Sequence, residues 1–486
     1  FAPTRRFHLT RAGLRRVAEL EEMALGELLR SRPLTAHWRR LLLERLDGVA
    51  STYRLTAATT EAAWPLRFRW YRAQPMDAAI ALPDGRSLFV VREGMTADRT
   101  SFAKRLWRLR EGPRPGAYLL LVPDPVRLRH TARLMARASA PAFLALERDA
   151  VAAGTGARVW RTAPGSPWLS LREVVAHIAQ RRAWPEEQPR ARAIVPRDIH
   201  AHGLREAPDW MLPALLGAAR KNALGLIADW PWIEPAALRA LLGVSARQVS
   251  QLLQPLREAS LVTSVGGRLA LSDRGLTLLA RRDRSAANLA RRRWSARPLD
   301  PDAPPTWRNV TGRRSRQLLR TIDHTAAVHG FLAQLAGQAR SEGWEVELLD
   351  PPHRASRYFR HHDRLHSVHP DAFGLLRREG TRWAFFLEWE RRAVRPSTMA
   401  TRLAPYLRYY ASQRPTDDHG LRPDVLVVFE DELAADHFLR VARSEMRRAR
   451  VDLPLRVSCR TLIERGGPLG FSWYAPAGGA PSCLFG

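Results

Sequence analysis

The sequence predicts an α/β protein in which a small helical module ending in a hairpin precedes an α-β-β-β-α-β domain, with the whole plan occurring twice. Three observations carry this: a central run at helical apolar spacing that closes on Gly266-Gly267, a later series of short strand-like segments interleaved with helices, and a fainter match to both in the first third of the chain. At 486 residues the chain exceeds one ordinary core, so two to four domains are expected.

The central module is read from its pattern. "DWMLPALLGAARKNALGLIADW" (209–230) has helical apolar spacing, "PAALRALLG" (235–243) is a short helix stopped by Gly243, and "SARQVSQLLQPLREASLV" (245–262) follows a tight turn. Ser245 and Gln248 form a capping-box pattern at the start of that third helix. Val249, Leu252, Leu253 and Leu256 share one face, leaving Arg247, Gln248, Ser250, Gln251 and Gln254 on the other, while Pro255 should bend the C-terminal half. Two short strands around Gly266-Gly267 and the helix "DRGLTLLARRD" complete a winged-helix order. In that geometry Arg247, Gln248, Ser250 and Gln251 would face double-stranded DNA, with Arg268 beside the turn reaching a phosphate or the minor groove.

Similar segments precede this module. Arg6, Leu9, Gly13 and Leu14 align with Arg268, Leu271, Gly275 and Leu276 at a spacing of 262, so the opening reads as the wing of an earlier winged helix. Its first three helices would need roughly 50–60 further residues, and position 1 is Phe, so a truncated start is expected. Downstream, "MDAAIALPDGRSLFVVREGMTADRTSFAKRLWRL" (76–109) matches residues 370–407 in order of strand, strand, helix, and each is followed by Arg-Pro and an apolar strand. The expected domains are therefore a winged-helix remnant over 1–24, a degenerate α/β domain over 25–165, a linker over 166–205, a winged helix over 206–285, a basic linker over 286–314 and a second α/β domain over 315–480.

In the second α/β domain the order is helix (315–342), strand "WEVELLD", strand "DAFGLL", strand "RWAFFLEWE", helix (396–412), strand "DVLVVF", helix, strand "LRVSC". With an aspartate opening the second strand and glutamates in the third, this resembles the restriction-endonuclease-like fold. Together with the preceding winged helix, Pro370-Asp371, "LEWERR" and "RLAPYLRYY", it resembles the replication-relaxation family of bacterial and plasmid proteins, over about 205–480, with a degenerate copy over 1–165.

The resemblance implies a site. In such folds two or three carboxylates hold Mg²⁺ or Mn²⁺, which binds a phosphate oxygen and activates water, beside a lysine. Asp371 and Glu388 are the candidate metal ligands, and Glu390, two residues on and on the same strand face, stands where the lysine would be. Arg391, Arg392 or Arg402 could supply the missing cation, although arginine is a poor proton-transfer group. In the first copy Asp77 matches Asp371 and Glu93 matches Glu390, but Val91 falls on Glu388, which argues against a metal there. Two readings stay open for Asp371, Glu388, Glu390 and Arg402: a metal-dependent endonuclease site, or the remains of one in a binding protein. His353, His361, His362, His366 and His369 are expected in a polar loop beside this site, with zinc as the sharper alternative.

Charge narrows the partner. Seventy-eight basic against 48 acidic residues give a formal net charge of +30, a surface that attracts polyanions. Only Lys104 and Lys221 are lysines, so the arginine excess over lysine has a compositional component. Two cysteines exclude a disulfide framework, no apolar run reaches the roughly 18 residues of a membrane span, and a reducing cytoplasm is the expected compartment. The expected function is that of a DNA-binding protein of a plasmid or mobile element acting in replication or its control, alongside replication or relaxase proteins. A Mg²⁺-dependent nuclease and a winged-helix transcriptional repressor are the rivals.

Overall fold

The computed structural model describes residues 9–31, 36–71, 74–95, 99–112, 114–178, 185, 203–303, 306–390 and 396–485. The chain is a mixed α/β protein that divides into two compact units. One comprises Phe1–Lys221, Glu258–Leu261 and Asp273–Arg292, and the other Asn222–Arg257, Val262–Ser272 and Arg293–Gly486.

The first unit is built on a five-stranded sheet, β1 (Arg67–Trp70), β2 (Ala78–Ala81), β3 (Ser87–Arg92), β4 (Ala117–Val122) and β5 (Ala142–Leu146), in that spatial order. β1, β2 and β3 pair antiparallel, whereas β3–β4 and β4–β5 are parallel. Its central strands are apolar on both faces because helices cover both. Leu88 and Val90 join Leu55 of the helix Leu46–Thr60 in one core, and Phe89 and Val91 join Phe102, Leu106 and Leu109 of the helix Arg99–Glu111 in the other. Leu171, Val174 and Val175 also pack into the first of these cores from the helix Leu171–Ala176, held by a capping box between Ser170 and Glu173. Residues 166–178 therefore belong to the domain rather than to the linker expected over 166–205. Three buried apolar side chains at helical spacing outweigh the Pro-rich composition around them. Most of the remaining linker, 179–184 and 186–202, lies outside the described residues, as do Arg6 and the other residues before Leu9. The helix Arg11–Leu20 starts and stops 262 residues before the helix Asp273–Arg282 of the same unit.

The second unit opens with the helices Ala218–Asp229, most of which lies in it, Pro235–Leu242 and Ala246–Glu258. A hairpin follows, β6 (Val262–Val265) and β7 (Arg268–Leu271). Gly266 and Gly267 have φ of 55° and 79°, the two left-handed residues that a two-residue hairpin turn requires. Trp232 and Ile233 add a short third bridge through Leu269. The Ala246–Glu258 helix runs continuously through Pro255.

The second sheet has the spatial order β8 (Glu345–Asp350), β11 (Ala372–Arg378), β12 (Thr381–Glu390), β13 (Asp424–Phe429) and β14 (Leu455–Cys459). β8–β11 and β11–β12 are antiparallel, and β12–β13 and β13–β14 parallel, the same sequence of directions as in the first sheet. One face packs against Met399, Leu403, Tyr406 and Leu407 of the helix Pro396–Tyr410 and Phe438 and Leu439 of the helix Glu432–Ala449. On the other face Trp389 meets Phe331 of the helix Ile322–Ser341. The single helix expected over 315–342 is two, Arg313–Arg320 and Ile322–Ser341, because the backbone leaves helical geometry at Thr321 (φ −117°, ψ 42°).

Two further features were not expected. The histidine-rich stretch is not a loop but the hairpin β9 (Arg357–His361) and β10 (Arg364–Val368), turned by the left-handed residues His362 and Asp363. Alternating Tyr358, Arg360 and Leu365 outside with Phe359 and Val368 inside gives it strand character that the histidines obscured. The helical module is also tied to the second sheet within one unit. Arg340 donates to the carbonyls of Ala240 and Leu241, and Arg354 pairs with Asp229 at 2.6 Å.

Candidate functional site

The polar residues at the head of β11 and the end of β12 come together where helices from both faces of the second sheet reach them. Asp371 precedes β11, and its backbone N–H donates to the Leu387 carbonyl at 2.8 Å, which fixes it opposite Glu388. Its two carboxylate oxygens have separate partners, Oδ1 at 3.0 Å from His324 Nε2 and Oδ2 accepting the Trp389 N–H at 2.9 Å. Glu388 and Glu390 leave the same face of β12, as strand alternation dictates, with Trp389 between them on the other.

Glu388 accepts the hydroxyl of Tyr406 at 2.6 Å. Burial, reinforced by the neighbouring Asp371 carboxylate, pushes its pKa up to about 8 against the pull of Tyr406 and Arg402, so near neutrality it is largely a protonated acid. Arg402, expected as a stand-in for lysine, pairs with Glu390. The four residues expected to form a site, Asp371, Glu388, Glu390 and Arg402, are thus neighbours, joined by His324 and Tyr406. Arg391 and Arg392 lie outside the described residues.

This donor set does not fit a resident Mg²⁺ or Mn²⁺. Such an ion needs several ionised oxygens aimed at one point. Here both Asp371 oxygens are engaged, Glu388 accepts the Tyr406 hydroxyl, and Glu390 is paired with an arginine. Among the described residues no group of three His, Cys, Asp or Glu side chains is placed to hold a metal, and this includes His361, His362 and His366.

The first sheet has the same backbone arrangement. Asp77 N–H donates to the Val90 carbonyl at 2.8 Å and Asp77 Oδ2 accepts the Arg92 N–H at 2.6 Å, as Asp371 does with Leu387 and Trp389. That equivalence sets Val91 against Glu388 and, 297 residues apart in the covering helix, Leu109 against Tyr406 and Arg105 against Arg402. Val91 and Leu109 share one apolar core, so the buried acid–hydroxyl pair of one sheet is a hydrocarbon pair in the other. Asp77 is gripped by Arg105 at 2.5 Å and Arg284 at 2.9 Å. Burial works to raise its pKa, but the two guanidinium groups prevail and hold it at about 2. Glu93, the match to Glu390, is buried and lies 3.3 Å from Arg127.

The second candidate surface is the Ala246–Glu258 helix. Val249, Leu253 and Leu256 are buried, while Arg247, Gln248, Ser250, Gln251 and Gln254 are all exposed. Three of the expected DNA contacts already have internal partners. Gln248 Oε1 accepts the Ser245 N–H at 2.8 Å while its own N–H donates to Ser245 Oγ at 3.3 Å, and Arg268 pairs with Glu234 at 2.7 Å. Ser250 Oγ donates back to the Ala246 carbonyl.

The sequence leaves His324, on the helix opening the domain, open between a core or surface histidine and a site residue, and Tyr406 escaped the reading. Tyr406 follows Arg402 by one helical turn, so the placement of Arg402 over β12 implied it. Nothing in the local pattern singles out His324, which reaches Asp371 across 47 residues of chain.

Fold and site together define a mixed α/β protein with a helical, hairpin-ended module joined to a mixed sheet that carries a half-buried carboxylate cluster. Residues 234–425, from the short second helix of the module to the start of β13, match the family model described as Replication-relaxation. Over this segment the chain is similar to the replication-relaxation family, a likeness that points to a function related to replication. No curated protein and no solved structure matches the chain. No described helix is long and apolar enough to cross a membrane.

Proposed function

We propose that the protein binds double-stranded DNA and acts in the replication, or its control, of a plasmid or mobile element, with the module 218–271 serving as a winged helix. The observation that carries this is the Ala246–Glu258 helix, whose polar face is wholly exposed while its apolar face is buried, followed directly by a two-glycine hairpin. That is the order in which a recognition helix enters a major groove with a wing beside it. A net charge of +30 supplies the sequence-independent attraction to phosphates.

Arg247 and Gln251, one turn apart on the exposed face, are the side chains for base edges, whereas Gln248 is the cap that holds the helix start. The two sheets, with their shared strand directions and their matching Asp77 and Asp371 hydrogen bonds, support a reading of the chain as one plan used twice. On this reading the carboxylate cluster is internal architecture, since each acid is paired within the protein, and relaxase or initiator proteins are the partners that the role implies.

The test is titration of the full chain into labelled plasmid-derived duplexes at several salt concentrations. Affinity should fall steeply with salt, and Arg247→Ala and Gln251→Ala should each cost about 1–3 kcal/mol on the preferred sequence. Salt-independent binding, or none, would count against the proposal. Cleavage of plasmid DNA with added Mn²⁺, abolished by Asp371→Ala, would put the nuclease reading in its place.

A further inference from the structure

The helix Arg313–Arg320 of the second unit has two unlike faces. Leu318 and Leu319 pack, with Val265 of the β6–β7 hairpin, against a small core of Trp232, Ala270, Ala296 and Val310. Ser315 is buried on the same side and donates to the Trp294 carbonyl at 2.9 Å. Arg313, Gln317 and Arg320, at i, i+4 and i+7, share the opposite face and are exposed.

Beside the end of this helix stands Trp307, 37% exposed. The guanidinium carbon of Arg308 lies 5.1 Å from its ring centroid and that of Arg320 5.6 Å. Arg316 ties the same loop to the helix by donating to the Val310 carbonyl at 3.0 Å. A ring attracts a cation through its π-face but does not take up the guanidinium's five donors, which project as a fixed fork. Among the described residues neither Arg308 nor Arg320 pairs with a carboxylate, and from Trp294 to Arg320 six arginines stand against Asp300 and Asp302. Fixing long side chains costs conformational entropy, and here one ring gathers two forks in advance.

Two gathered guanidinium groups suit an oxyanion with several acceptor oxygens, and a nucleic acid offers such a group in its phosphodiester. The Trp307 ring is already engaged by two cations, which favours a phosphate over a stacked base. The helix and the β6–β7 hairpin share one core, so the arginine face is held in fixed relation to the hairpin that follows the 246–258 helix. We propose that Arg308 and Arg320, gathered on Trp307, together with Arg313, form a clamp for the phosphate backbone of duplex DNA, extending the footprint of the winged helix without reading sequence. Trp307 is its positioning residue. The inference rests on the duplex-binding reading above and adds a contact outside the module 218–271.

The experiment uses the full chain and fluorescence anisotropy at several salt concentrations, with a labelled preferred duplex, a scrambled duplex and an oligothymidylate of the same length. Arg308→Ala/Arg320→Ala should weaken both duplexes by the same factor, on the order of tenfold, and reduce the salt slope by about 1.8, roughly 0.9 per phosphate contact. Trp307→Ala should weaken both about fivefold at unchanged charge, with Trp307→Phe restoring most of the loss. Arg440→Ala/Arg447→Ala removes the same two charges from the exposed side of the helix Glu432–Ala449 and should leave the slope near wild type. Arg247→Ala should instead lower the ratio of preferred to scrambled affinity. All these side chains are exposed, and wild-type unfolding midpoints would show that the fold is kept. Wild-type affinity and slope in Arg308→Ala/Arg320→Ala, while Arg247→Ala still weakens binding, would overturn the clamp and leave the winged-helix reading. A loss confined to the preferred duplex, an equal loss in the control pair, or a larger loss on oligothymidylate than on duplex would also overturn it. Clamp results as expected with Arg247→Ala and Gln251→Ala silent would sink the winged-helix reading alone, and no duplex binding by wild type would sink both.

Discussion

Glu388 sits in an environment that its type does not prefer. The folded protein keeps its proton up to about pH 8, while in the unfolded chain the group ionises near its ordinary 4.5. Between those values the folded state binds more protons, so Glu388 makes stability fall as pH rises through that window. Glu388→Gln, which keeps the shape and the acceptor for Tyr406, should flatten that fall, and urea midpoints at pH 5 and pH 8 should differ less in the variant than in wild type. An unchanged difference would mean that the acid is not held neutral. The first sheet shows why such a substitution is tolerable, since Val91 and Leu109 fill the equivalent positions with hydrocarbon. Val91 was legible as a departure in the sequence, whereas the Tyr406 hydroxyl that makes Glu388 acceptable inside the protein was not.

At the scale of elements, glycine and cap residues decide where strands and helices meet. Gly374 on β11 faces Phe385 on β12, and a Cβ at Gly374 would sit 2.2 Å from the Phe385 ring. Gly374→Ala should therefore force the ring or the strand aside and cost about 1–3 kcal/mol, the usual range for overpacking, read as a lowered denaturant midpoint with an unchanged slope. Gly243 ends its helix at φ 67°, and Arg340 packs against it while donating to the last carbonyls. The helix stop at Gly243 and the capping box at Ser245 were legible because both depend on local backbone geometry. The split at Thr321 and the β9–β10 hairpin were not. In each the local composition is ambiguous, and packing against distant segments selects the outcome.

For the whole molecule, the two compact units do not follow the order of the chain. The helix Asp273–Arg282, although it directly succeeds the hairpin, belongs to the first unit and packs there on the helix Leu46–Thr60. A fragment beginning near residue 206 would leave that helix without its partner, although Leu276, Leu278 and Leu279 are buried in the full chain. Its thermal midpoint should fall below that of the full chain, by a stability difference on the order of a few kcal/mol for losing such contacts. An equal midpoint would show that residues 206–486 form an independent folding unit.

By itself the sequence determined the α/β class, the succession along the chain of the strands that form the second sheet, the exposed and buried faces of the 246–258 helix, and the relation to the replication-relaxation family. These follow from periodicity and turn chemistry, which act over a few residues, and from the linear order of short motifs. Only the tertiary structure decided what the carboxylates do, because His324, Tyr406 and Arg402 reach Asp371, Glu388 and Glu390 from helices on both faces of the sheet. It likewise decided that Arg268 pairs with Glu234. Charge and proton affinity are set by neighbours in space, and no spacing along the chain encodes them.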